Sequence, residues 1–395
     1  MKALIIDPAL HSMGGHHYNA THALRAKLSA LGIEHDCLGS AYADARTVRD
    51  LGCTPCFTQA VYGRTYEAPE EFEQRVQTVR KELSLALKQR PKFDLIILPC
   101  CDQVLAFALA RYFRFRPAPH LVLWVLYGPH HTRPFDDPAT HFLRRETREA
   151  FAALQRIVGL QRISAFCETP QMADIYRDLT SLEIGVASGP GLIGGKRTQR
   201  QNSAPVVSCI GFANEAKGYR LLPEALREVI GRNHEVRFMI HGVFQGSDAR
   251  DQAPVFEALA ELGPCVTVST EVLSQSDYLA WLGQADLVLL PYDPEVYKTR
   301  GSGVFFEARR LGIPVIATRG CGFAQPAFEA GWGVEIPQPD AFGVAAAVLQ
   351  ALQKIDELTS RACAASTPHD DVDGILGAAV TRVVSGRGRR GRAGR

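Results

Sequence analysis

Residues 285–292 read ADLVLLPY, residues 297–308 read YKTRGSGVFFEA, and residues 312–318 read GIPVIAT. Asp286–Leu290 is a continuous apolar run, as expected of a strand buried on both faces of a parallel sheet. Val304–Leu311 is expected to be a helix and Pro314–Thr318 a second strand. The connecting loop carries Gly301 and Gly303, and Glu307 lies about one turn into the helix. Glycines let backbone N–H groups approach an anion, and a helix N-terminus favours negative charge. Ser302, Gly303 and Val304 are therefore candidates to seat a diphosphate, with Glu307 placed to accept hydrogen bonds from sugar hydroxyls. The plainer alternative is a strand–loop–helix crossover whose glycines only make the turn.

The same alternation extends outward. Val206–Ile210 reads as a strand closed by Gly211, followed by a helix near Leu221–Ile230 and a strand at Val236–Ile240. Ser274 with Asp277 comes close to a capping box. In the other half, Ala3–Ile6 reads as a buried strand, then a loop with Gly14 and Gly15, then a helix marked by Ala20, Ala23, Leu24, Leu28 and Leu31. Leu95–Leu98 and Leu121–Leu126 are further apolar strands, followed by the polar loops Pro99–Asp102 and Tyr127–His131. Ligands of open α/β sheets bind at the carboxyl ends of strands. The expected fold class is therefore α/β, with two Rossmann-like doubly wound domains facing a cleft.

A length of 395 residues suits two domains, and 46% hydrophobic with 22% charged residues suits a globular chain. The expected boundaries are 1–185 for the first domain, 186–202 for a Gly-rich polar linker, and 203–365 for the second domain. Residues 366–384 are expected to form a helix packing back on the first domain, and 385–395 a disordered basic tail. The tail holds five arginines, without which the formal charge of +2 becomes −3. A slightly acidic body argues against a nucleic-acid partner. Phe72, Val76, Val79, Leu83 and Leu87 mark a helix whose other face is basic. It is read as a solvated face, or as a membrane-surface contact.

Ten scattered cysteines contain one CxxC, Cys53–Cys56, and no second pair at zinc spacing, so no metal or other cofactor is expected. Reduced thiols, an opening run interrupted by Pro8, and the lack of an eighteen-residue apolar stretch fit a cytoplasmic protein. The reading extends to peripheral contact at the inner membrane face. Cys100, Cys101 and Asp102 sit at a strand end, but a cysteine nucleophile needs a base, and none is indicated.

The phrase SGVFFEARRLGIPVIATRGCG at 302–322 resembles the donor-binding region of glycosyltransferase family four, a group of retaining enzymes of the GT-B fold. Ile210–Gly218 (IGFANEAKG) is similar to that family's phosphate-gripping loop, and Gln284–Leu287 to its strand entry. The resemblance spans most of 205–335; over 1–185 it is topological, plus Gly14 and Gly15. It implies that Lys217 pairs with the donor diphosphate, that Glu307 holds the ribose hydroxyls, and that Ser302, Gly303 and Val304 give donors to the phosphates. Gly14 and Gly15 would face the diphosphate from the other domain. His130 would touch the transferred sugar, with His131 as the alternative. His130, Lys217 and Glu307 are thus the implied catalytic residues.

Phe212 stands where the family carries a phosphate-binding arginine, and Thr299 where it carries a first glutamate. Arg300 or Arg220 are the candidates to replace the lost guanidinium, so Thr299 and Arg300 join the donor-binding set. The implied function is metal-independent transfer, with retention, from a nucleoside diphosphate sugar to a saccharide or lipid-linked acceptor, in cell-surface polysaccharide or glycoconjugate synthesis. The alternatives are a catalytically weak scaffold or binding protein of the same fold, motivated by Phe212 and Thr299, and a nucleotide-sugar epimerase of GT-B type.

Overall fold

The computed structural model describes residues 1–13, 15–60, 66, 68–88, 90, 92–129, 138–189, 203–244, 247–366 and 371–392. The chain forms two compact units, Met1–Gly191 with Asp370–Arg395, and Leu192–His369.

The first unit is built on seven parallel strands: β1 (Lys2–Ile6), β2 (Glu34–Ser40), β3 (Cys53–Phe57), β4 (Leu95–Leu98), β5 (His120–Trp124), β6 (Ile163–Cys167) and β7 (Ile184–Val186). Their spatial order is β3-β2-β1-β4-β5-β6-β7, with Ile5 of β1 registered against both Cys37 and Ile97. The order reverses between β1 and β4, which is the switch point of a doubly wound sheet. Side chains alternate across the pleat. Leu4, Ile6, Ile96 and Leu98 enter the core under helices Pro69–Leu87, Gln103–Phe113, Pro138–Val158 and Pro170–Leu179. Ala3, Ile5, Leu95 and Ile97 enter the opposite core, with Leu24, Leu28 and Leu51. Both faces are covered, so β4 and β5 are apolar along almost their whole length.

Three boundaries differ from those expected. Val186 ends β7 rather than opening a linker, and Ala187 N–H donates to Cys167 O at 2.9 Å. The rest of the expected linker, 190–202, lies outside the described residues. The C-terminal helix runs Asp371–Arg392, so the expectation of a structureless tail is corrected for 385–392. Ile375, Leu376 and Ala379 are buried in the core that holds Val122 and Trp124. Helix nucleation is the costly step and propagation from a packed start is cheap, so arginines extend the helix despite the intervening glycines. In helix Pro69–Leu87, the residues Phe72, Val76, Val79 and Leu83 are all buried in the protein core. Its apolar face is occupied from within and is not a membrane-binding face.

The second unit repeats the plan with six parallel strands: β8 (Val206–Phe212), β9 (Arg237–Val243), β10 (Val266–Ser269), β11 (Leu287–Leu290), β12 (Val315–Thr318) and β13 (Gly333–Ile336). The order is β10-β9-β8-β11-β12-β13, which places its switch point between β8 and β11. Val207, Cys209, Leu287 and Leu289 pack under helices Leu222–Arg232 and Ala341–Gln353. Ile210, Val288 and Leu290 pack on the other side, with Phe305, Ala308 and Leu311 of helix Gly303–Leu311. Among the described residues, no helix is long and apolar enough to cross a membrane.

Candidate functional site

At the switch point of the second unit, the chain leaves β8 through Gly211, whose φ of 135° excludes most side chains. A Cβ at this position would stand 2.8 Å from Lys217 Nζ, so the glycine makes room for the ammonium. A 3₁₀ turn, Glu215–Lys217, follows and ends in Gly218 at φ 69°. A Cβ there would overlap Pro291 O, the first carbonyl after β11. Asp293 N–H donates to Ala216 O at 2.8 Å. Two loops at the ends of adjacent strands are thus held together by close backbone approach and a hydrogen bond.

That contact positions Lys217. Its Nζ lies 5.3 Å from the centroid of the Tyr292 ring. The residue is partly exposed, but its ammonium is surrounded deeply enough that burial pushes the pKa down to about 8, against the opposing pull of Cys209 and Glu307. An ammonium so placed gains by meeting an anion, which restores the charge that burial penalises.

The second component is the start of helix Gly303–Leu311. Ser302 is its N-cap, its Oγ accepting from Phe305 N–H at 3.3 Å. The side of Gly303 is open, with nothing within 4 Å of a Cβ built there. The first N–H groups of any α-helix lack an intrahelical acceptor, so Gly303 and Val304 present donors beside an open face. Glu307 is 6% exposed, and Tyr278 OH donates to its Oε2. Burial holds the Tyr278 pKa well above its usual value, so the phenol stays a donor and fixes the carboxylate's orientation.

The structure therefore brings Lys217, Ser302, Gly303, Val304 and Glu307 to one end of one sheet. Thr299 is buried at 8% exposure and lies in the same loop. Arg300 approaches Tyr297 closely enough to oppose the burial that raises that phenol's pKa to about 12. Arg220 forms an exposed pair with Glu215 at 3.4 Å. Phe212 is 47% exposed at the end of β8. Tyr278 and Tyr292 were not assigned roles from sequence. Tyr292 stood in the quoted strand–loop stretch, whereas nothing in the helix Gln275–Gln284 pointed to Tyr278.

In the first unit, Gly15 opens helix Gly15–Ala30. Gly14, His130 and His131 lie outside the described residues. At the end of β1, His17 Nδ1 meets both oxygens of fully buried Asp7, at 2.9 and 2.8 Å. This pair had no sequence signal, because its partners are separated by a loop. Cys100 and Cys101 are buried, and burial raises both thiols well above their usual pKa, so neither is a ready thiolate. Asp102 caps helix Gln103–Phe113, its Oδ1 accepting from Leu105 N–H at 2.9 Å, and burial pushes its pKa up to about 7.

The model of a family described as "Glycosyl transferases group 1" matches residues 204–354, the region holding every element of the second-unit site. No curated protein matches the chain. Among solved structures, sucrose-phosphate synthase from Thermosynechococcus elongatus is similar at a TM-score of 0.65 and 13% identity, covering 98% of this chain and 100% of that one. Anabaena Alr3699/HepE in complex with UDP is similar at 0.63 and 16% identity, covering 96% and 100%. A glycosyltransferase from Rickettsia africae is similar at 0.61 and 12% identity, covering 97% and 93%. Together with the two parallel sheets, these matches identify the architecture: the chain has the GT-B fold, two Rossmann-like α/β domains.

Proposed function

We propose that this protein is a glycosyltransferase that takes a sugar from a nucleoside diphosphate donor bound at the end of β8 and β11. The observation that carries this reading is the convergence of the half-buried ammonium of Lys217, the open N-terminus of helix Gly303–Leu311 and the anchored carboxylate of Glu307. The family match over the same residues and the UDP held by HepE support it.

Transfer breaks the bond between the anomeric carbon and the diphosphate oxygen, and the electron pair leaves with the diphosphate. A bond forms to an acceptor hydroxyl, whose proton passes to an oxygen of the departing diphosphate. Lys217 offsets the charge on the leaving group, and the Gly303 and Val304 amides add donors that need no reorganisation. Glu307 accepts from the ribose hydroxyls, while Thr299 and Arg300 line the loop. The charge stabilisation is assigned to these groups rather than to a divalent cation. Retention at the anomeric carbon, and a saccharide or lipid-linked saccharide as acceptor, complete the proposal.

The test is a thermal-shift titration with UDP, GDP, ADP and their sugar conjugates, on the wild type and on Lys217→Ala and Glu307→Ala. One nucleotide should raise Tm with concentration in the wild type and lose its effect in both variants. No shift with any nucleotide would favour a scaffold that has kept the fold and lost the donor. With a donor in hand, the anomeric configuration of the product tests retention.

A further inference from the structure

Residues 111–119 (RYFRFRPAP) and 156–163 (RIVGLQRI) hold five arginines and no acidic residue. They lead into β5 and β6, which pair with Leu121 opposite Ile163, so the two segments emerge side by side at the amino end of the sheet. Arg162 Nη1 donates to Ala118 O across them at 3.1 Å. Phe115 is 86% exposed, Leu160 54% and Ile157 37%. The Arg114 guanidinium lies 5.2 Å from the Phe115 ring centroid, and that of Arg116 lies 4.6 Å from the Tyr112 ring.

The C-terminal helix reaches the same edge, where Arg382 Nη1 donates to Ser164 Oγ at 3.4 Å. His120, at the start of β5, is pushed down to about 4 by burial, with Arg382 and Arg162 adding to the effect. Past Arg382 comes Val384, 59% exposed, and the sequence that follows carries five more arginines. Acids at neighbouring strand starts are already answered. Lys2 meets Glu34 at 2.8 Å and Asp36 at 3.4 Å, and Arg90 meets Asp36 at 3.1 Å. Arg111 is tied to Glu73 at 2.8 Å, and Glu183 precedes β7 on the far side of β6. Among the described residues, no carboxylate pairs with Arg114, Arg116, Arg156 or Arg162.

We propose that this edge of the first unit docks on an anionic lipid bilayer, with Phe115 and Leu160 entering the headgroup region and the arginines meeting lipid phosphates. Guanidinium groups bind phosphate oxygens in pairs, and their stems lie along apolar surface while the charge stays wet. Stable peripheral binding needs two signals, and an apolar contact with a polybasic patch supplies both. Exposed Leu160 and Ile157 favour a bilayer over a soluble polyanion, which offers them no apolar phase. The surface lies on the segments that lead into β5 and β6 and on the C-terminal helix, not on the basic helix Pro69–Leu87.

The test is flotation of the full chain with phosphatidylcholine vesicles, with and without about 30 mol% phosphatidylglycerol. Binding should require the anionic lipid and fall at high salt. Each arginine near an anionic surface is worth about fivefold, so Arg114→Glu/Arg116→Glu should weaken binding more than about 20-fold. Phe115→Ser/Leu160→Ser should weaken it at least about tenfold, because apolar insertion is lost. All four side chains are exposed, and unchanged melting curves will show that the variants fold. No flotation with the anionic vesicles, or equal binding to neutral ones, overturns the proposal. So does undiminished binding in Phe115→Ser/Leu160→Ser, which would indicate a site for soluble polyanions. A loss on truncation after Val384 that neither edge variant reproduces would assign binding to the tail alone and equally overturn it.

Discussion

Raising the pH should weaken donor binding through one identified group. Burial lowers the Lys217 ammonium to a pKa of about 8. A diphosphate against it favours the charged form and raises that value in the complex. A group whose pKa rises on binding contributes affinity fully below its free value and loses it as pH climbs above that value. With a free pKa of about 8, the ammonium is ~90% charged at pH 7 and ~3% charged at pH 9.5. If only the charged form holds the diphosphate well, affinity for a nucleoside diphosphate falls about 30-fold across that interval, or ~2 kcal/mol. Isothermal calorimetry at a series of pH values measures this directly. Lys217→Met, which keeps the bulk and drops the charge, should bind weakly and show no such slope. A wild-type affinity constant from pH 7 to 9.5, or the same slope in Lys217→Met, would refute the assignment of Lys217 to the phosphates.

Gly218→Ala should cost about 3 kcal/mol of stability, combining a left-handed backbone with overlap on Pro291 O, as read by urea denaturation. Gly32→Ala, at a matching φ of 66° with open space around it, should cost only about 1 kcal/mol, and equal losses would show that the loop contact is not tight. Tyr278→Phe should weaken UDP binding by about tenfold while leaving inorganic pyrophosphate binding unchanged, because the phenol orients only Glu307. A parallel loss for both ligands in calorimetry would place Glu307 at the phosphates instead.

Much of this architecture was legible from residues 285–318, because short apolar strands, a Gly-rich loop and a capped helix follow one another at fixed spacing. β4 and β11 announce themselves as LIIL and LVLL, since burial on both faces leaves no polar alternation to confuse the reading. β2 and β3, reading EHDCLGS and CTPCF, do not, because their exposed and half-buried positions admit polar residues. The three residues of β7 were hidden by the glycines that follow them. At the site, Lys217, Ser302 and Glu307 could be named from local sequence and resemblance. Their supports could not: Tyr278 reaches Glu307 from 29 positions away and Tyr292 lies under Lys217 from the other loop, so only the folded chain brings them together. The Asp7–His17 pair was invisible for the same reason, its partners meeting across the turn after β1. The fate of the last residues was misread from composition, which registers glycine and arginine but not the packed turn at Ile375 and Leu376 from which the helix grows.

The first unit takes one of its helices, Asp371–Arg392, from a segment that follows the whole of the second unit. During synthesis the second unit's segment is contiguous, so it can fold as soon as it is released. The first unit must wait with the β4–β5 region beneath Ile375, Leu376 and Ala379 uncovered until that later helix has emerged. A chain stalled or clipped anywhere after the second unit would therefore expose an apolar face in its oldest domain rather than its newest. Quality control that recognises exposed apolar surface would thus be able to distinguish a copy carrying the helix Asp371–Arg392 from one that lacks it.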